Sequence, residues 1–490
     1  MQSTVLFVLD GQLVRLEFPP GGSLPLTTTL LQYLRTRPEH RGVKEGCAEG
    51  DCGACTVVLA EPDGANGLKY RAVDSCLVFL PMLHGKQVIT VENLRDSAGA
   101  LHPVQKALVD HYGSQCGFCT PGVVMSLFAL YKSCPSPSYE DVVDSLAGNL
   151  CRCTGYRSII DAGLAACGDG MTDHFTSAAK TVVELLSSVP KGSLRIDAGG
   201  QHYVRPATLT EALEVRRADP AALVVCGATD LALHVTKKHE LIPSILDISG
   251  IPELRTIEVA NSGISFGAAA TIQEVLESSA EDVPALAAML RVFGSRQIRN
   301  MATIGGNIGT ASPVGDTLPV LLALRAEIEL AGPGGARRIP VEQMITGYRR
   351  TACRPDELIT RVFIPAVPPD VIIRSYKISR RRDLDISTVS AGFRLERDAR
   401  GSVGTVLLAF GGMAEQTRRA VRTEMFLCGK QWSRPVVEEA MEALAKEFVP
   451  LNDVRGSAGF RTTVARNLLL KFWDDTSASS EVRRLAEVET

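Results

Sequence analysis

Cys47, Cys52 and Cys55 stand at C-x4-C-x2-C spacing in the run Gly-Cys-Ala-Glu-Gly-Asp-Cys-Gly-Ala-Cys-Thr, and Cys76 follows as a fourth thiol. That is the spacing of a plant-type [2Fe–2S] cluster. Two irons and two sulfides carry net negative charge, so four thiolates must converge from one side while backbone N–H groups turn inward. Gly46, Gly50 and Gly53 would allow this by taking positive φ. The competing chemistry is zinc, which usually pairs two short knuckles of similar geometry. One loop with three cysteines among three glycines favours the cluster. A second set follows: Cys116 and Cys119, then Cys151 and Cys153. Each pair precedes the expected start of a helix, where the dipole favours an anionic group. C-x2-C and C-x-C alone would also suit a zinc knuckle. Standing beside a first cluster, they favour a second [2Fe–2S] centre and an electron relay.

The elements that must position these thiols can be read from pattern and caps. Residues 5 to 18 alternate about Asp10-Gly11, a hairpin signal. A helix is expected over Thr27–Thr36, capped by a threonine, a strand over 56–60, and a turn at Asp63-Gly64. A short helix over Ser75–Leu83 would carry Cys76, and Gln87–Val91 would close the unit as a strand. Residues 1–92 thus read as a small ferredoxin-like β domain. Residues 93–168 change to four helices, Pro103–Tyr112, Pro121–Lys132, Tyr139–Ala147 and Tyr156–Ala166. Pro103 and Pro121 suit first helical positions and Ser138 an N-cap, while Gly113 and Gly148 suit stops. Residues 169–194 read as a linker with one short amphipathic helix, Thr181–Leu186.

Composition narrows the class. The 490 residues are 45% hydrophobic and 22% charged, with a net charge of −3, which gives no reason to expect nucleic acid. The N-terminus lacks a basic n-region, and no apolar run is long enough to span a membrane, so a cytoplasmic location without membrane contact is expected. Ten of the thirteen cysteines lie at or before Cys167. Metal ligation in the first third accounts for them better than a disulfide scaffold. Cys134, Cys167, Cys226, Cys353 and Cys428 fit no cluster position and read as core or surface thiols.

From Ile196 strands and helices alternate again. Two glycine turns stand out: Val225-Cys226-Gly227-Ala228-Thr229-Asp230, and Thr303-Ile304-Gly305-Gly306-Asn307-Ile308. Glycine at such turns can bring backbone N–H groups against a pyrophosphate where a Cβ would intrude. Neither is a dinucleotide fingerprint or a P-loop, so each alone reads equally as an ordinary tight turn. From Ser375 a separate α+β unit is expected, with strands at 375–379, 387–396 and 403–411, helices at Arg434–Phe448 and Thr462–Trp473, and a frayed tail after Asp474.

The eight cysteines in this order, with Gly117-Phe118 and Gly148-Asn149-Leu150 around the second set, resemble the xanthine dehydrogenase and aldehyde oxidase family of molybdenum hydroxylases. The resemblance covers nearly the whole chain. It implies a multidomain α+β fold: a plant-type ferredoxin β-grasp domain, a four-helix [2Fe–2S] domain, a two-part α+β FAD-binding domain of PCMH type over 195–370, and an α+β C-terminal flavoprotein domain over 371–480. It implies that Cys47, Cys52, Cys55 and Cys76 hold the cluster nearer the flavin. Cys116, Cys119, Cys151 and Cys153 would hold the cluster nearer molybdenum, which takes the electron first. FAD would lie against Val224, Val225, Cys226, Gly227, Ala228, Thr229, Asp230 and Leu231, and against Thr303, Ile304, Gly305, Gly306 and Asn307. Phe293, Asp316, Ile359 and Lys377 match further flavin-contacting positions. The loop Arg380-Arg381-Arg382-Asp383-Leu384-Asp385 would lie beside the ring.

The family also implies a division of labour. Hypoxanthine or xanthine would be hydroxylated on a large molybdopterin-binding partner subunit, and electrons would leave through FAD to NAD+. The fused iron–sulfur and flavin layout is that of the smaller chain in two-chain bacterial members, in a dimer of heterodimers. No residue here is expected to act as a catalytic acid, base or nucleophile. Two alternatives stand beside this: a hydroxylase of aldehydes or N-heterocycles, and a freestanding NADH diaphorase or electron carrier.

Overall fold

Asp10 and Gly11 both take positive φ (48° and 83°), the requirement of a two-residue type I′ turn. They join β1 (Thr4–Leu9) to β2 (Gln12–Glu17). The computed structural model describes residues 4–477 apart from 20, 21, 23, 65, 66 and 168–172. Its chain divides into two units. The first runs through Leu254 and takes in Thr271–Gln273 and Gly294–Thr303; the second holds Arg255–Ala270, Glu274–Phe293 and the chain from Ile304 on.

In the first unit, α1 (Leu30–Arg35) is closed by a capping box between Thr29 and Gln32. β3 (Thr56–Asp63), β4 (Gly67–Asp74) and β5 (Gln87–Ile89) complete a five-stranded sheet in the order β2-β1-β5-β3-β4. Ser75–Leu83 is not one helix. It forms two 3-10 turns, Ser75–Leu77 and Leu80–Leu83. Val78 and Phe79 between them stay extended because the Val78 carbonyl accepts from the Leu30 N–H and Phe79 bridges Thr29.

Four helices follow: α2 (Pro103–Asp110), α3 (Thr120–Ser133), α4 (Tyr139–Leu146) and α5 (Arg157–Ala166). Neither Gly113 nor Gly148 takes the left-handed conformation; after α2 that role falls to Tyr112, at φ 55°. Gly148 is needed for close approach instead, since a Cβ there would lie 2.2 Å from Gln297 Oε1.

The expected linker is largely a helix. α6 (His174–Ser187) starts at the N-cap Asp173 and buries Phe175, Val182 and Leu186. The short Thr181–Leu186 reading caught only its end, because the anchoring contacts lie in another domain's sequence. Asp173 Oδ2 lies 3.2 Å from His102 Nε2, and Lys132 Nζ lies 2.8 Å from Asp173 Oδ1. Burial alone would raise the Asp173 carboxyl; hydrogen bonds from His102, Lys132 and Thr176 overcome it and hold the group well below the usual carboxylate range.

A depressed carboxylate stabilises the fold above its unfolded pKa of about 3.9, and the contribution fades as pH falls through the lower folded value. Asp173→Asn is therefore expected to cost about 3 kcal/mol near neutrality, as for a broken buried pair. Most of that deficit should vanish at roughly pH 2, below the unfolded carboxylate range. Denaturant melts at the two pH values check this; a deficit that does not shrink in acid refutes it.

β6 (Leu194–Ala198), β7 (Gln201–Arg205), α7 (Leu209–Ala218), β8 (Leu223–Val225), α8 (Ala232–Thr236) and β9 (Ser244–Asp247) form a sheet in the order β6-β7-β9-β8 with its helices. This sheet shares one core with the ferredoxin part: Leu194, Tyr203, Val225 and Ile245 pack with Leu26, Phe79 and Leu83.

The second unit contains β10 (Ile257–Ala260), β11 (Gly263–Gly267), α9 (Pro284–Arg291), α10 (Ile304–Thr310), α11 (Thr317–Ala323), β12 (Glu327–Gly332), β13 (Gly335–Pro340) and β14 (Leu358–Pro365). The strands run in the order β10-β11-β14-β12-β13. A second sheet joins β15 (Ile372–Ile378), β16 (Val389–Arg397), β17 (Val403–Gly411) and the short β18 (Arg418–Arg419). It is backed by α12 (Arg434–Leu444) and α13 (Ala458–Thr476). The helix continues past Asp474 to Thr476; the rest of the expected frayed tail lies outside the described residues.

Candidate electron-transfer site

The first thiol set sits where β3 leaves its loop. Gly50 and Gly53 take positive φ (78° and 65°), as expected, but Gly46 does not; Ala48 does, at 55°. Gly46 is required for space, since a Cβ there would lie 2.8 Å from Cys52 Sγ. The N–H groups of Glu49 and Asp51 point at Cys47 Sγ from 3.4 and 3.3 Å. The thiols meet in twos. Cys55 and Cys76 Sγ are 3.5 Å apart and buried, and Cys47 and Cys52 pair at the half-exposed side. Cys52 and the inward N–H groups bring the Cys47 thiol down to about 5, while Cys76 and burial push Cys55 up. Asp74, which sequence reasoning passed over, is buried with Oδ1 3.7 Å from Cys55 Sγ; burial, then the Cys47 charge, raise it to about 8.

The second set has the same form. Cys116 pairs with Cys153 and Cys119 with Cys151. The former pair is exposed, while Cys119 is half-buried and Cys151 buried. Cys119 is the N-cap of α3, and the Cys151–Cys153 loop leads into α5. Thr154 Oγ1 lies 3.2 Å from Cys151 Sγ. Two thiols for each of two irons fit this paired donor set, so both loops suit a [2Fe–2S] cluster. The loops also touch: the Cys52 carbonyl accepts from the Leu150 N–H at 3.0 Å, one residue before Cys151.

The two glycine turns fall in different units. In the first, β8 ends at Val225, Ala228 takes positive φ (58°), and the Ala232 N–H returns to the Ala228 carbonyl at 2.8 Å. Gly227 is explained differently from expectation. A Cβ there would lie 1.8 Å from the Met301 carbonyl oxygen, so close backbone approach within the chain itself requires glycine at this position. Leu223 and Val224 beside this turn are exposed (39% and 37%), an apolar edge suited to a flat aromatic ring. Cys226, Thr229 and Leu231 are half-buried and Asp230 exposed.

In the second unit, Gly305 packs on Ala268, where a Cβ would approach the Ala268 carbonyl to 2.7 Å, whereas Gly306 is exposed. Asn307 Oδ1 accepts from Thr317 Oγ1 at 2.5 Å. Asp316 is buried and holds Lys377 Nζ at 2.7 Å; Ser387 Oγ donates to its other oxygen at 2.5 Å. Lys377 also donates to the Val292 carbonyl, next to the half-buried Phe293. Ile359 lies on β14, its Cδ1 3.5 Å from where a Cβ at Gly309 would stand. Asp385 accepts from the N–H groups of Arg380 and Arg381 at 2.8 and 3.0 Å, which folds the basic loop on itself. Ser387 was missed: nothing local in sequence marks a hydroxyl whose partner stands 71 residues away. Within the second unit the exposed turn at Gly306 suits a phosphate, and within the first the exposed apolar edge suits a flat ring.

Four family models match in chain order. A 2Fe-2S iron-sulfur cluster binding domain covers 7–79 and a [2Fe-2S] binding domain covers 90–164. An FAD binding domain in molybdopterin dehydrogenase covers 196–367, and a CO dehydrogenase flavoprotein C-terminal domain covers 374–476. Among curated relatives, xanthine dehydrogenase of Drosophila pseudoobscura pseudoobscura is 35% identical over 500 residues, 90% of this chain and 37% of its own length. Xanthine dehydrogenase/oxidase of Gallus gallus is 32% identical, covering 96% of this chain and 40% of its own. This chain therefore spans about two fifths of the length of those relatives. Among solved structures, a carbon monoxide dehydrogenase from Hydrogenophaga pseudoflava superposes at a TM-score of 0.53 with 26% identity, over 55% of this chain and 94% of that one. Quinoline 2-oxidoreductase from Pseudomonas putida 86 shares the fold at 0.51 and 24% identity, over 55% of this chain and 93% of its own.

Proposed function

The chain carries the iron–sulfur and FAD architecture of the xanthine dehydrogenase/molybdenum hydroxylase family, and from that premise we propose that it is the electron-exit part of a xanthine dehydrogenase. Hypoxanthine or xanthine would be oxidised on a molybdopterin-bearing partner, with NAD+ as final acceptor. Bound here, two [2Fe–2S] clusters and FAD would supply one-electron relay followed by two-electron delivery.

The observation that carries the reading is the pairing of all eight thiols and the contact between their loops. Exposed Cys116 and Cys153 would face the electron donor. Cys119 and Cys151 would stand inward, one hydrogen bond from the loop of Cys47, Cys52, Cys55 and Cys76. The exposed turn at Gly306 would hold the FAD phosphates. Lys377, fixed by Asp316 and Ser387, would keep a positive charge at a set place near the flavin.

The test separates the half-reactions. The flavin-loaded chain alone should oxidise NADH with an artificial acceptor and leave xanthine untouched. Adding the molybdopterin chain should bring xanthine-to-NAD+ turnover. Xanthine oxidation by the molybdenum-free chain would overturn the reading. The resemblance to carbon monoxide dehydrogenase favours a second reading in which the partner takes another substrate; turnover of an aldehyde or N-heterocycle but not xanthine by the complex would select it.

A further inference from the structure

Four consecutive residues on a short turn of helix far in sequence from either thiol set grip both cluster domains. Gln297 Nε2 donates to Ser126 Oγ, the Ser145 carbonyl and Asn149 Oδ1 at 2.8, 3.0 and 3.0 Å. Arg299, almost wholly buried, holds Asp144 through both carboxylate oxygens at 2.6 and 2.8 Å. These are contacts to the helical domain. The alternate residues face the ferredoxin part. A Cβ on Gly50, between Cys47 and Cys52, would lie 2.9 Å from Ile298 Cδ1. Asn300 Nδ2 donates to the Ala72 carbonyl at 2.9 Å.

Between these jaws the cluster loops meet with no slack. Asn149 Nδ2 donates to the Gly53 carbonyl and Thr56 Oγ1 at 3.0 and 3.1 Å. A Cβ on Gly53 would lie 2.2 Å from the Gly148 carbonyl, and one on Gly122 would lie 2.1 Å from the Gly53 carbonyl. Leu150 N–H then reaches the Cys52 carbonyl. Gln297 and Asn149 are both fully buried, and the network runs through the Gln297 amide nitrogen, while Gln297 Oε1 is buried without a partner among the described residues.

We propose that Gln297 is a positioning residue for electron transfer, holding Asn149 so that the Cys52 and Cys151 loops stay in hydrogen-bonded contact at a fixed separation. It rests on the reading that both thiol sets hold [2Fe–2S] clusters. The spacing of two redox centres is set by the protein around them, as the geometry of any functional constellation is set by its supporting contacts. Gln297→Leu removes the donor that ties Asn149 to residues 297–300 and leaves Ser126 Oγ, at 2.6 Å, as the remaining donor to Asn149 Oδ1, without touching a thiol.

The experiment reads low-temperature electron-spin resonance of the full chain, loaded with both clusters and fully reduced. In the wild type, two signals split by mutual interaction are expected. In Gln297→Leu, both signals should remain at their wild-type g-values while the splitting is lost. Gln297→Glu, which keeps the shape but replaces the amide donor, should lose it too. An unchanged splitting in these variants overturns the proposal, as does a wild type whose two signals show no interaction. A wild type without two [2Fe–2S] signals refutes the underlying reading instead. Where Gln297→Leu fails to retain both clusters, Asn300→Ala loosens the opposite jaw, and the same two outcomes apply.

Discussion

Cys116→Ser is expected to erase the second cluster's electron-spin signal and leave the first cluster's intact. Cys116 is exposed and its neighbour Gly117 takes positive φ with nothing within 4 Å of its Cβ position, so the exchange disturbs no packing. Only ligation is lost. Xanthine-to-NAD+ turnover by the complex with the molybdopterin chain should then fall to background, because the exposed pair would be the point of entry. NADH oxidation with an artificial acceptor should persist, because it needs only flavin. Iron content, spin resonance and the two assays read the outcome together. Two unaltered cluster signals would refute the ligand assignment. Loss of NADH oxidation in a folded, flavin-loaded variant would refute the proposed order of electron flow.

The second large effect separates two glycines that look alike in sequence. Gly306 is exposed on the proposed phosphate turn. Gly306→Val is expected to fold, keep both clusters and lose FAD. At Gly227 a Cβ would collide with the Met301 carbonyl oxygen at 1.8 Å, which only a backbone shift can relieve. Gly227→Ala should therefore cost about 3 kcal/mol, the upper range for overpacking, with or without flavin. Flavin-to-iron ratios and denaturant melts of the flavin-free proteins distinguish the two. A Gly306→Val chain with full flavin content would remove that turn from the site, and a Gly227→Ala chain of unchanged stability would refute the packing account.

Much of the thiol arrangement was legible because it is local. Cys47, Cys52 and Cys55 lie within one loop whose turns bring their side chains toward one another and toward Cys76, so their spacing records that geometry. The type I′ hairpin at Asp10-Gly11, the cap at Thr29 and the helix start at Ser138 were legible for the same reason: each depends on residues a few positions apart. The misses share the opposite cause. The role of Gly46 depends on where Cys52 Sγ ends, and that of Gly148 on a side chain from residue 297. The helix His174–Ser187 owes its start to Asp173, whose partners His102 and Lys132 belong to the helical domain. Asn149 stood inside a recognised motif, yet its partners Gly53 and Gln297 lie 96 and 148 residues away. Pattern reports what the chain does to itself nearby, and each of these residues answers to something distant.

The grip of residues 297–300 also bears on the order in which the protein can be made. Asp144, Ser126, Asn149 and the Ala72 carbonyl leave the ribosome well before the groups that satisfy them. At typical rates of synthesis, the stretch separating Asn149 from Gln297 takes roughly 7–30 s to emerge. During that interval the two thiol-bearing domains exist without the residues that clamp them together. A nascent iron–sulfur half is thus an unfinished object, and a chain cut before residue 294 stays one. On the proposed reading, the two thiol sets would reach their set separation only after the chain through residue 300 has been made.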